Sequence, residues 1–151
     1  MADSQLEFGG AEEFRATREQ VYAALTDLEA MSTSIPDLES WRQANPQTIE
    51  CIVRPGFSFL RGTLTVTIVT EQSDPPNSAA MRIHSKGIGA EVVVESGFEL
   101  EPLESGTRLV WRARIVQLKG LVATVSPALV RGAAETVLGR AWKNVHARLG
   151  A

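Results

Sequence analysis

A chain of 151 residues suits a single domain spanning 1–151, and a domain of that size buries about 70% of the surface its unfolded chain exposes. Apolar residues at 44% and charged residues at 22% are the proportions of a globular protein and exclude a disordered one. The net charge of −3, with no run of Lys or Arg, argues against a nucleic-acid partner, which requires a clustered basic footprint.

The N-terminal residues Met1 to Glu7 carry acids where a secretory leader carries bases, and no apolar stretch approaches the roughly 18 residues that span a bilayer. The expectation is a cytoplasmic protein with no integral membrane segment. From Leu6 to Ala16 the even positions are Leu6, Phe8, Gly10, Glu12, Phe14 and Ala16, which predicts a strand with one mostly apolar face. Gly9-Gly10 permits a bulge or a sharp bend in it. Thr17-Arg18-Glu19-Gln20 is a capping-box pattern opening a helix with Val21, Ala24, Leu25 and Leu28 on one side. A second short helix, about Leu28 to Ser34, is expected to stop before Pro36, because the residue ahead of a proline is pushed out of helical geometry.

The long middle is β-patterned. Leu38 to Ala44 and Thr48 to Arg54 flank the turn dipeptide Asn45-Pro46 and predict a hairpin. Cys51 falls on the apolar side of the second strand and reads as a core thiol; as the only cysteine it also rules out an internal disulfide and fits a reducing compartment. Thr63 to Thr70 alternates, with Leu64, Val66 and Ile68 on one side. Met81 to Lys86, Ala90 to Glu101 and Thr107 to Gln117 follow as three more strands.

Charge fixes the order of those three. Opposite their apolar sides stand Arg82, His84 and Lys86, then Glu91, Glu95, Glu99 and Glu101, then Arg108, Arg112 and Arg114. An antiparallel meander puts the acidic strand between two basic ones, so opposite charges meet across both ladders. Glu95 and Glu99 are therefore expected to face solvent beside basic residues. The inward rows are then Met81 and Ile83; Ala90, Val92, Val94, Phe98 and Leu100; and Leu109, Trp111, Ala113 and Ile115.

Leu118, Leu121, Val122 and Val125 keep helical spacing, and Ser126-Pro127 is a cap followed by the residue best tolerated at a first helical position. From Pro127 to Leu149 an apolar stripe predicts a helix of about six turns with one face to bury. Pro127 has two readings: it only starts this helix, or it divides a movable lid over Leu118 to Val125 from a rigid grip. The sum is an α+β domain in which seven strands form one curved antiparallel sheet around a long C-terminal helix, with two short helices between strands one and two.

The sequence resembles the START-like, or SRPBCC helix-grip, superfamily, and within it the CoxG family of carbon monoxide dehydrogenase. The resemblance is carried by Phe14-Arg15-Ala16-Thr17, by Val21 to Asp27, and above all by Ile35-Pro36-Asp37-Leu38-Glu39-Ser40. Lys86 to Ala90, Gly106-Thr107-Arg108-Leu109 and Gly120 are similar as well. Thr17 stands where the family usually has Pro, Tyr22 where it has Trp, and Ser34 and Asp37 where it has Cys and Gly. The resemblance implies a helix-grip fold and a link to carbon monoxide dehydrogenase or molybdenum hydroxylase systems, with a dehydrogenase as protein partner.

The candidate site is a cavity between sheet and last helix, lined from the set Ile35, Phe57, Phe59, Met81, Val92, Trp111, Val125 and Leu129, for an apolar ligand of the lipid or isoprenoid quinone class. Phe57 and Phe59 have two readings, as plain core or as the cavity mouth. Glu12 breaks the apolar row of the first strand: either a bulge at Gly9-Gly10 turns it outward, or its carboxyl faces the cavity and needs a partner or a proton. The expected function is non-enzymatic binding; the rival is a polyketide cyclase or dehydratase-like enzyme with Glu12 as its acid or base. A third reading, a protein-interaction module, predicts a filled interior. His84 reads as an outer-face residue and His146 as a helix C-terminal residue complementing the dipole. Neither has neighbours at metal-ligand spacing, and Gly87-Ile88-Gly89 reads as a hairpin turn, so no metal, cofactor or catalytic set is expected.

Overall fold

The computed structural model describes residues 6–56 and 61–150. Phe57 and Phe59 lie outside the described residues. In chain order the elements are β1 (Glu7–Phe14), α1 (Arg18–Thr26), α2 (Leu28–Ser32), β2 (Leu38–Asn45), β3 (Thr48–Val53), β4 (Leu64–Asp74), β5 (Ser78–Gly87), β6 (Ala90–Leu103), β7 (Gly106–Gly120) and α3 (Pro127–Leu149). The strands form one antiparallel sheet in the order β1-β7-β6-β5-β4-β3-β2.

The charged meander is built as its alternation requires. Arg82, Glu95 and Arg114 stand in register across β5, β6 and β7, and the Glu95 carboxylate meets Arg82 at 3.3 Å and Arg114 at 3.2 Å. Glu91 lies between Lys86 and Lys119, and Glu101 opposite Arg108. Glu99 is exposed opposite Ser78 and Val110, with Arg108 and Arg112 two positions away along β7. His84 sits on this outer face, 2.6 Å from Glu91, whose carboxyl it holds below the usual range by hydrogen bonding. Exposed pairs of this kind add little stability each. What they secure is register, because a one-residue slip would set like charges against each other and turn the apolar row to solvent.

Near its end β7 departs from strict alternation. Val93 pairs with Gln117 but Val94 with Ile115, so Val116 is an extra residue in the ladder. The bulge resets the side-chain parity: Gln117 goes to the outer face and Leu118 to the inner one. Leu118 packs there with Ala90 and Val122. The expected lid is therefore shorter than its spacing predicted. Leu118 to Gly120 complete β7, and only Leu121–Thr124 form a 3₁₀ turn. Pro127 opens α3, with the Ser126 hydroxyl accepting from the Leu129 amide at 3.2 Å.

α1 begins with both halves of the capping box in place: the Gln20 amide donates to Thr17 Oγ1 at 3.2 Å and the Thr17 amide to Gln20 Oε1 at 2.9 Å. Asp27 ends this helix and caps α2 through the Ala30 amide at 3.0 Å. The inner face of the sheet then carries two main clusters. Phe14, Val21, Phe98, Leu100, Leu109 and Val145 join β1, β6 and β7 to α1 and the end of α3. Leu28, Met31, Ile49, Cys51, Val53 and Ile68 join α2 to β3 and β4. Met81 packs against both. Burial pushes the Cys51 thiol up to about 11, so it is neutral and inert.

Of the 23 residues of α3, only Val130 and Val145 are buried. The helix is therefore not sealed onto the sheet along its middle, and polar contacts hold it in place. On one side, Arg140, Asn144 and Arg148, one turn apart, reach the loop between α2 and β2. Arg140 grips Asp37 with two hydrogen bonds at 2.8 and 3.0 Å, Asn144 donates to the Ser34 carbonyl, and Arg148 to Thr33. Asp37 has φ of 60°, a left-handed backbone that aspartate tolerates better than most residues and that suits the glycine usual in similar sequences. The exchange puts a carboxylate opposite Arg140, whose guanidinium holds the Asp37 carboxyl below its ordinary value.

The sign of the resulting pH effect follows from that direction. A carboxyl depressed in the folded state stabilises above its unfolded value, near 3.9, and that stabilisation is lost as pH falls through the folded value. Asp37→Asn keeps a residue tolerant of left-handed backbone and removes the charge. Its thermal midpoint is expected to fall slightly at pH 7 and to match wild type at pH 2. Equal midpoints at both pH values in differential scanning calorimetry would show that the ion pair does not hold α3.

Candidate ligand cleft between the first strand and the last helix

On its other side α3 faces β1. This strand pairs with β7 without interruption, from Glu7 opposite Arg114 to Phe14 opposite Thr107. No bulge forms at Gly9-Gly10, and Glu12 stays on the inner row with Phe8, Gly10 and Phe14. The second glycine serves another purpose. Gly10 lies opposite Trp111, and a Cβ there would stand 3.1 Å from the indole Nε1, so the missing side chain lets the ring lie against the strand.

Between β1 and α3 opens a cleft of about 480 Å³. The strand side contributes Phe8, Gly9, Glu12 and Trp111; the helix contributes residues recurring every third or fourth position from Arg131 to His146. The repeat brings them onto one face of α3. Glu12 Oε1 and His146 Nε2 are 2.8 Å apart, and the imidazole stacks on Phe14 with ring centres 4.4 Å apart. Both side chains are about three-quarters shielded, at 28% exposure for His146 and 26% for Glu12. The carboxyl on the apolar row thus has the partner its position demands.

Deeper in the cleft the rings of Trp111 and Trp142 lie 5.8 Å apart at 38°. The indole Nε1 of each is buried with no hydrogen-bond partner among the described residues. At the other end, the Arg131 guanidinium lies 4.8 Å above the Phe8 ring, donates to the Glu7 carbonyl at 3.1 Å and stands 3.6 Å from Glu135. Beyond its dipole position, His146 is thus a cleft residue that the helical stripe alone did not reveal. The available signal was its spacing: it lies one turn beyond Trp142, on the apolar side of the helix.

The cleft gathers Glu12 and Trp111 from the expected set. Ile35 packs with the β3–β4 cluster, Met81 joins the two main clusters, and Val92 packs with Val122 at the far end of the inner face. Val125 is half-buried and Leu129 exposed. Among the described residues, no group of three His, Cys, Asp or Glu side chains converges as for a metal ion. No helix among them is long and apolar enough to cross a membrane.

A seven-stranded antiparallel sheet gripping a C-terminal helix over a lined cleft defines a START-like domain, the architecture of a ligand-binding module. Solved structures agree on the fold. A conserved protein from Geobacillus kaustophilus is similar with a TM-score of 0.88 at 20% identity, over 96% of this chain and 95% of that one. A START superfamily protein from Mycobacterium smegmatis is similar with a TM-score of 0.72 at 14% identity, over 95% and 97%. A protein from Arthrobacter aurescens gives 0.73 at 14% identity, over 97% and 87%. No curated protein matches the sequence. The chain belongs to the CoxG family of carbon monoxide dehydrogenase, whose model matches residues 10–150.

Proposed function

We propose that this domain is a non-enzymatic carrier that binds an apolar small molecule of the lipid or isoprenoid quinone class between its sheet and α3. The observation that carries the reading is the unsealed middle of α3 above a cleft of about 480 Å³ walled by two indoles. A packed interaction module has no reason to leave tryptophan donors buried without acceptors beside an open volume. In this reading Glu12 and Trp111 contact one end of the ligand. Its apolar body runs along the inner face toward Met81, Ile35 and Val92, with Phe57, Phe59, Val125 and Leu129 at the rim. The family description adds a carbon monoxide dehydrogenase or a related molybdenum hydroxylase as the protein the loaded domain serves, in the cytoplasm.

Native mass spectrometry of freshly purified protein tests this. The expected spectrum contains a species heavier than the bare chain that is lost on denaturation. A bare mass, together with no uptake of a fluorescent fatty acid or a short-chain quinone, would favour the interaction module.

The Glu12–His146 pair is the observation that favours the second reading, a cyclase or dehydratase-like enzyme, since a positioned carboxyl or imidazole typically contributes 10²–10⁴-fold in rate. For a carrier, Glu12→Gln is expected to keep ligand affinity within about 1 kcal/mol, because an amide oxygen can still accept from His146. A turnover that vanishes in Glu12→Gln while binding persists would make the enzyme reading the better one.

A further inference from the structure

We infer that the cleft selects a carboxylate head: its ligand is an apolar carboxylic acid in ionised form, held by the indole N–H groups of Trp111 and Trp142 and the ammonium of Lys143. The inference rests on the binding reading above and narrows its ligand class.

The balance of donors and acceptors carries it. The Trp111 and Trp142 Nε1–H groups are donors only, and both are buried without a partner among the described residues. A donor in that state gains more from an incoming acceptor than a solvated one does, since it has already lost its water. The acidic acceptors of the cleft are already engaged, Glu12 with His146 at 2.8 Å and Glu135 with Arg131 at 3.6 Å. A hydroxyl head would bring a donor into a site whose carboxylates are taken. An acceptor-only head matches the two indole donors.

Charge decides between acceptors. The cleft carries two acidic and two basic side chains besides His146. Glu12, Glu135 and Arg131 have the partners just named, whereas Lys143 lies within ion-pair distance of no acid among the described residues. Lys143 also adjoins Trp142 in sequence, so the ammonium and one orphaned donor come from the same turn of α3. One uncompensated positive charge matches the single charge of a carboxylate. A neutral carbonyl would leave it unanswered, and a doubly charged phosphate would exceed it. There is also room, since a Cβ built at Gly139, one turn before Lys143, meets nothing within 4 Å.

The experiment compares palmitate, methyl palmitate, hexadecanol and a short-chain ubiquinone by calorimetric titration of the purified protein stripped of lipid. Palmitate is expected to bind about ten-fold tighter than its methyl ester or the alcohol, the size of a hydrogen-bonded charge contact. Lys143→Gln alters an exposed side chain and is expected to erase that preference by weakening palmitate while leaving the ester unchanged. Trp142→Phe, which keeps most of the apolar ring and removes one donor, is expected to weaken palmitate and ester alike. Equal binding of acid and ester, or a Lys143→Gln variant that keeps the preference, overturns the inference. Binding of the quinone without the acid also overturns it but leaves the carrier reading intact. No binding of any probe counts against the carrier reading itself.

Discussion

Gly139→Leu is expected to abolish ligand uptake while leaving the domain folded and slightly more stable. Gly139 lies inside α3 on the wall of the cleft, and a Cβ there meets no other atom within 4 Å. Replacing a mid-helix glycine with leucine gains about 0.5–1 kcal/mol of helix propensity, with no steric cost where the space is empty. The new side chain projects into the volume the ligand needs, between the indoles and Lys143. Gly132 provides the control. It too is a helix glycine with open space at its Cβ, but it does not line the cleft. Gly132→Leu should therefore raise the thermal midpoint without touching uptake. Native mass spectra and titrations of the two variants, beside their melting curves, read the result. Undiminished uptake in Gly139→Leu would move the binding site away from the β1–α3 cleft.

The second large effect concerns stability and the far end of the inner face. Gly120→Ala is expected to cost about 2–4 kcal/mol, from a clash added to an unfavourable backbone. Gly120 ends β7 with φ of 72°, and a Cβ there would stand 2.0 Å from the Gly89 carbonyl oxygen. That same oxygen accepts the Leu121 amide at 2.7 Å, so the hairpin between β5 and β6 cannot retreat without breaking a hydrogen bond. For a chain of this size the cost corresponds to a fall of roughly 5–15 °C in thermal midpoint. Val122, which closes this end of the inner face against Ala90, should become exposed as the turn is displaced. A midpoint within about 2 °C of wild type, well below the shift that size implies, would show that the hairpin yields freely.

What the sequence by itself determined is the set of elements and the facing of the central sheet. Alternation of apolar and charged residues carries inside and outside in its own period, and Arg82, Glu95 and Arg114 meet across β5, β6 and β7 for that reason. The capping box at Thr17 and the Ser126-Pro127 start of α3 were equally legible, because their hydrogen bonds close within three or four residues. Strand ends were less so. β4 and β5 run on to meet at Asp74 and Ser78, since pairing with a neighbour extends a strand past the point where its own alternation fades.

The site needed tertiary structure, because its parts are distant in sequence. Glu12 announced itself as a carboxyl on an apolar row, but its partner His146 lies 134 residues away, and no local pattern joins them. The β7 bulge that brings Leu118 inward depends on where β6 stops matching it, a property of the pair and not of either strand. Asp37 could be read as a departure from glycine, yet only the approach of Arg140 from α3 turns that departure into a clamp. The cleft itself is a gap between an edge strand and a helix fastened elsewhere. A gap has no residues of its own, so its place is set by how far the polar fastenings on either side of α3 hold the helix off the sheet.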